Sequence, residues 1–217
     1  GSVIESYLDF TARDVAQLVN LGLEQLGIKS VYAIIGGSVG GGIAWEMAAL
    51  SPQLAQHLIP IATDWKATDW LMANCYLQEQ ILNNSSRPIA DERIHAMLCY
   101  RTPESFEVKF NRTINDELGV FNIESWLAHH GEKLQQRFQL ASYKLMNQLL
   151  KTIDITRGRG SFESVVAPIT ANIHIIGINT DLFFTPTENR KTNLELQKLQ
   201  LQTSYQEIDS IHGHDAF

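Results

Sequence analysis

Ile34-Ile35-Gly36-Gly37-Ser38-Val39-Gly40-Gly41-Gly42 is the stretch on which the fold turns. A β-branched and aromatic run, Val31-Tyr32-Ala33-Ile34-Ile35, leads into it and reads as a buried strand. Ile43-Ala44-Trp45-Glu46-Met47-Ala48-Ala49-Leu50 leads out with a helical pattern that stops at Ser51-Pro52. Between them Gly36, Ser38 and Gly40 spell G-x-S-x-G, the strand-to-helix elbow that lifts a serine hydroxyl out at the carboxyl edge of a sheet. The turn forces strained backbone angles, and a side chain beside the serine would collide with neighbouring elements, so glycine is required there. The helix that follows aims its first amides at charge developing near Ser38, and the Val39 N–H is the candidate oxyanion donor. Such a turn can also serve only to pack a helix on a sheet. A phosphate cradle fits poorly, because no register gives G-x-G-x-x-G and no Gly-Lys-Ser/Thr follows.

Composition narrows the class. The 217 residues are 44% hydrophobic and 19% charged, enough for one real core and unlike a disordered chain. No apolar run is long enough to span a bilayer and no signal peptide is read, so no membrane is expected. A balance of 17 basic against 24 acidic residues, net −7, argues against nucleic acid as a partner. Cys75 and Cys99 both lie in apolar helical patterns and read as reduced packing residues of a cytoplasmic protein. Gly1-Ser2 reads as a cloning remnant and is left out of fold reasoning.

Taken in order, residues 9–27 carry a cap-like Thr11 and the spacing Val15, Leu18, Val19, Leu21, Leu23, Leu26, an amphipathic helix ended by Gly27. The elbow strand and helix follow, then Leu58-Ile59-Pro60-Ile61-Ala62-Thr63 as a second buried strand. This α-β-α-β rhythm is that of a parallel sheet. From Thr68 to about Asp154 no strand is predicted. Helices are predicted over 70–82, 91–100, 103–110, 123–138 and 141–154, broken at 83–88 and 115–119. Strands resume at 172–179 and 204–209, flanking a helix over 187–201. The expected organisation is therefore an α/β core from 3–66 and 155–217, with a helical cap from 67–154 laid over the sheet's carboxyl edge, shaping a pocket and shedding water.

A serine hydroxyl needs a base to take its proton, and the base works best when a carboxylate fixes its tautomer. Asp181 follows the strand at 172–179 and His214 the strand at 204–209, giving the chain order Ser, Asp, His of an α/β-hydrolase sheet. Parallel strands bring all three ends to one edge. Asp181 before Leu182-Phe183-Phe184 also suits a turn or helix cap. His212 competes with His214 as base; His214 is favoured because it lies deeper in the loop, beside Asp215. His212-Gly213-His214-Asp215 lacks the further ligands of a metal site, so no metal is expected. His129 and His130 fall about 100° apart on a helix and do not face one partner.

With these motifs in place, the chain resembles the homoserine O-acetyltransferase family. The resemblance rests on Gly36-Gly37-Ser38-Val39-Gly40-Gly41; Ile123-Glu124-Ser125-Trp126-Leu127 with Gly131-Glu132-Lys133 and Arg137-Phe138; Ser142-Tyr143; Asp181-Leu182-Phe183-Phe184; and Gly213-His214-Asp215-Ala216-Phe217. It implies an α/β-hydrolase with a mostly parallel sheet and a helical cap that also forms a homodimer interface. It further implies ping-pong transfer of an acetyl group from the co-substrate acetyl-CoA, with no bound cofactor, to the hydroxyl of L-homoserine, feeding methionine synthesis. Carried over by position, Ser38 is the nucleophile, Asp181 the orienting acid, His214 the base, and Asp215 the group that holds the homoserine amino group.

Two departures bear on this. Where the family places an arginine after the second strand for the homoserine carboxylate, Ala62-Thr63-Asp64-Trp65-Lys66-Ala67 offers Lys66, which pairs with a carboxylate but cannot fork onto it. The family also has strands before the helix at residue 9, one of whose loops completes the oxyanion hole. With about four strands predicted, one sheet edge would lie bare, and the expectation is a fragment, or one piece of an enzyme with a separate N-terminal segment. The alternatives are a serine esterase or thioesterase of the same fold, and an inactive piece needing its N-terminal half.

Overall fold

The computed structural model describes residues 9–217; the expectations that touch residues 1–8, the cloning remnant and the first residues of the core segment, lie outside them. Helix α1 (Ala12–Gln25) starts on a reciprocal cap, in which the Thr11 hydroxyl accepts from the Asp14 N–H and the Asp14 carboxylate accepts from the Thr11 N–H. Gly27, just past its end, holds φ at +70°, a conformation that favours glycine. Strand β1 (Val31–Gly37), helix α2 (Val39–Leu50) and strand β2 (Ala55–Ile61) complete the first half of the core.

Five cap helices follow: α3 (Asp69–Asn84), α4 (Pro88–Tyr100), α5 (Pro103–Phe110), α6 (Asn122–Gln135) and α7 (Leu140–Lys151). Thr68 and Thr102 cap α3 and α5, and Pro88 and Pro103 occupy first-turn positions, where a missing N–H costs nothing. One expectation needs correction. The region is not free of strand, because β3 (Ile114–Asn115) and β4 (Val120–Phe121) form a small antiparallel hairpin between α5 and α6. Two residues per strand are too few for any alternation to register in sequence. The turn is legible only as Gly119, whose φ is +66° and whose N–H donates to the Asn115 carbonyl at 2.8 Å.

After the cap come the short helix α8 (Phe162–Val166), strand β5 (Asn172–Ile178), helix α9 (Pro186–Lys198) and strand β6 (Thr203–Ile208). The larger sheet is parallel throughout, in the order β1-β2-β5-β6. Its register aligns Ile34 with Leu58, Leu58 with Ile173, and Ile173 with Thr203. Trp45, Leu58, Val166, Ile173, Ile175 and Leu196 are buried where α1, α2 and α9 cover one face. Each large aliphatic side chain there contributes about 1.5–3 kcal/mol by leaving water. The opposite face carries Tyr32, His57 and His174 side by side, and Tyr32 and Ile35 of the edge strand β1 are exposed.

A second buried cluster joins cap to core: Leu71, Cys75 and Cys99 meet Leu150, Ile153, Phe183 and Phe184. Both cysteines are free and buried, and burial pushes their thiols up, to about 12 for Cys75 and about 11 for Cys99, so they pack rather than react. Among the described residues no helix is long and apolar enough to cross a membrane.

Candidate active site

Ser38 sits between β1 and α2 with φ +52° and ψ −126°, a strained conformation held from both sides. Its N–H donates to the Ile61 carbonyl at 2.9 Å, and the glycines around it are crowded. A Cβ on Gly36 would stand 2.2 Å from the Gly40 carbonyl oxygen, and one on Gly41 2.1 Å from the Thr63 methyl. The helix therefore lies against the strand closely enough to aim its first turn at the serine. Val39 is the first residue of α2, so its N–H has no acceptor within the helix.

Asp181 follows β5 and is buried. Its Oδ1 accepts from the N–H groups of Phe183 at 2.7 Å and Phe184 at 2.9 Å, while Oδ2 lies 2.7 Å from His214 Nδ1. His214 Nε2 lies 2.8 Å from Ser38 Oγ. With the Nδ1–H donated to the carboxylate, Nε2 is left as the acceptor for the serine proton, the tautomer a general base needs. The two loops are laced together, with the Ser210 N–H donating to Asn179 Oδ1 at 3.1 Å and the Gly213 N–H to Thr180 Oγ1 at 3.2 Å. Residues 33 positions apart are thereby fixed to one another before any substrate arrives.

His214 is walled by rings: Phe217 at 5.2 Å, Phe183 at 5.3 Å, Tyr100 at 5.5 Å and Phe184 at 5.7 Å between centroids. The cap reaches both triad loops. Trp70 Nε1–H donates to the Leu182 carbonyl at 2.6 Å, the Thr102 hydroxyl donates to the Ile211 carbonyl, and Tyr100 supplies one of the rings.

The structure thus gathers Ser38, Asp181 and His214, with Asp215 next to His214 in sequence and exposed. His212 is exposed and lies outside this chain of bonds, its Nδ1 3.3 Å from Arg101 Nη1. Lys66 is not bonded to the triad. It is exposed, its backbone bridges to Asp154, its Nζ lies 4.6 Å from the Trp65 ring centroid, and no hydrogen bond or ion pair joins it to the triad or to Asp215. Sequence reasoning missed Arg101, whose Nε stands 2.9 Å from Asp215 Oδ2, a close ion pair without the alignment of a hydrogen bond. The one available signal was an arginine at the junction of two helices, directly before the Thr102-Pro103 cap.

Comparison with known proteins bears on the fold. The α/β-hydrolase fold family matches residues 5–86. The homoserine O-acetyltransferase of Trichormus variabilis (strain ATCC 29413 / PCC 7937) is 32% identical over 98% of this chain and 62% of its own length. Among solved structures, the homoserine O-acetyltransferase from Bacillus anthracis superposes with a TM-score of 0.86 at 21% identity, over 97% of this chain and 62% of that one. The acetyl esterase MekB gives 0.78 at 20% identity, over 95% and 62%. The fold is that of an α/β-hydrolase. By sequence the chain is similar to homoserine O-acetyltransferases, and it spans about three fifths of the length of the curated relatives it matches.

Proposed function

We propose that the protein is an acyltransferase that moves an acetyl group from acetyl-CoA to the hydroxyl of L-homoserine through an acyl-Ser38 intermediate. The observation that carries this reading is the unbroken Ser38–His214–Asp181 chain at 2.8 and 2.7 Å. In the first half-reaction Ser38 Oγ attacks the thioester carbonyl while His214 Nε2 takes its proton. The Val39 N–H donates to the developing oxyanion, and the proton passes to the departing thiolate. In the second half-reaction the homoserine hydroxyl gives its proton to His214 and attacks the acyl carbon, and His214 passes that proton to the departing Ser38 Oγ. Asp181 holds the imidazole and balances the imidazolium in both.

For the acceptor, Asp215 offers a carboxylate to the amino group. Arg101, paired to it at the rim, offers a fork to the carboxylate, a role that Lys66 is poorly placed to fill. Replacing the acceptor by water would make the same site an esterase or thioesterase. A further part of the reading is that polypeptide outside this chain, an N-terminal segment, supplies the second oxyanion donor; one such donor is worth on the order of a hundredfold or more in rate. Exposed Val108, Ile114, Leu118 and Phe121 on the cap support a homodimer contact, and the free thiols of Cys75 and Cys99 support a cytoplasmic setting.

Intact-mass spectrometry with acetyl-CoA tests the mechanism. One acetyl added to the wild type and none to Ser38→Ala is expected, with release as O-acetylhomoserine when homoserine is added. Release only as acetate would make it a hydrolase. An adduct that persists in Ser38→Ala would remove the triad. An adduct that forms only after the N-terminal segment is added would place the second donor there.

A further inference from the structure

Glu92 is a buried ionisable group that this chemistry leaves unused. It lies in the first half of α4, wholly buried, and among the described residues neither carboxylate oxygen makes a hydrogen bond of good geometry, although the Tyr143 hydroxyl faces it. The molecule's other buried carboxylates are answered. Glu46 has Arg13 and Arg159, Asp64 accepts from the Trp65 N–H and the Thr192 hydroxyl, and Asp181 has the three donors described above. A buried carboxylate without a partner neutralises rather than bear its charge in an apolar interior.

The groups that face Glu92 come from every side of the cap interior. Arg93, Cys99 and Tyr100 share its helix, Cys75 faces it from α3, and Tyr143 from α7. On the side of α6, packed on α4 where Gly131 meets Ala90, His130 stands near Arg93 rather than Glu92. Desolvation pushes the carboxyl up to about 7, with the Tyr143 hydroxyl and the Arg93 guanidinium drawing it partly back. Eight residues along α4, Tyr100 packs at 5.5 Å against His214 and at 5.3 Å, edge-on, against Phe183, and the Arg93 guanidinium lies 5.4 Å over the same ring.

We propose that Glu92 is a positioning residue for His214: uncharged, it lets α4 seat the Tyr100 ring against the imidazole, and ionised, it loosens that wall. The charge would sit where α3, α4 and α7 meet, and relief requires either water entering or α4 shifting. A shift of α4 carries Tyr100 and Arg101 with it. Because the folded carboxyl is raised above its ordinary value of 4.5, its stabilising contribution is complete below about 4.5 and is lost as pH rises through about 7. Asp64, raised to about 6, contributes in the same direction at lower pH, so the wild type must be read against a variant that changes Glu92 alone.

The test uses this chain and needs no activity. Its bearing on catalysis rests on His214 as base, but a failure of that reading appears in the acyl-adduct experiment and not here. Thermal midpoints and the His214 imidazole NMR titration, assigned with His214→Gln, are followed from about pH 5 to pH 9 for wild type and Glu92→Gln. The wild-type midpoint is expected to fall relative to the variant by several degrees as pH rises through about 7. The wild-type His214 curve is expected to carry a second inflection there that the variant lacks. Parallel midpoint curves, or identical His214 curves, overturn the proposal. If Glu92→Gln does not fold, Tyr143→Phe decides: loss of the hydroxyl moves the His214 inflection to higher pH, and an unmoved inflection overturns it.

Discussion

Glu46 and Glu92 lie in two regions of the molecule, are buried alike, and are treated in opposite ways. In the sheet core, Glu46 of α2 is held by the Arg13 Nε at 3.2 Å and the Arg159 Nη1 at 2.7 Å, which tie α1 and the segment after the cap to the elbow helix. In the cap, Glu92 has no cation bonded to it, and its neighbours are phenols and thiols. The core answers each charge it buries, because the elbow and both triad loops hang from it and must not move. The cap tolerates an unanswered polar group because its task is to cover and touch the site rather than to anchor it. Ion pairing is concentrated beneath the proposed nucleophile, and the unanswered carboxylate lies in the cap.

The largest effect that bears on this contrast lies on the core side. In the active enzyme, His214→Ala is expected to cost on the order of ten-thousand-fold in turnover with the thermal midpoint nearly unchanged, since catalytic groups seldom hold the fold. A collapse of stability instead would mean that the triad loops anchor the core. Next comes Glu46→Ala, expected to cost about 3 kcal/mol in urea denaturation by leaving Arg13 and Arg159 uncompensated. Glu92→Gln above about pH 7 should be neutral or stabilising, and equal losses from the two glutamates would break the comparison. On the cap side, Arg101→Ala is expected to raise the acceptor KM about ten- to a hundredfold, the scale of one charge-assisted contact, with little change for the acyl donor. The smallest change should be Lys66→Ala, within about twofold for either substrate, since an exposed cation over a ring is worth only about 0.5 kcal/mol. A selective rise for the acceptor would bring Lys66 back into the site.

What could be read from the residues divides along the same line. The elbow was legible because its glycines cluster around one serine between a strand pattern and a helix pattern, and α1 because Thr11 and Asp14 cap each other within one turn. The four sheet strands announced themselves as short β-branched runs, and their parallel order followed from the helices between them. The hairpin of β3 and β4 and the five-residue α8 fell below the length at which any period can be seen. Arg101 and Asp215 meet across 114 positions, so no local pattern joins them, and Lys66 was chosen by its place after a strand rather than by what it touches. Glu92 reads in sequence as an acid near a helix start, where solvent and the helix dipole would welcome it. Only packing of α3 and α7 against α4 reveals the burial.

The outer rim of β1 has a colloidal consequence. Among the described residues nothing pairs with its backbone there, and Tyr32 and Ile35 lie open beside it, so two such rims can zip together. What keeps molecules apart is mutual repulsion, a net charge of −7 at neutral pH that vanishes near pH 5.5. Added salt shortens the reach of that repulsion to about 8 Å at physiological strength. Light scattering should therefore rise with ionic strength and on acidification toward pH 5.5, and a Tyr32→Lys substitution should suppress both.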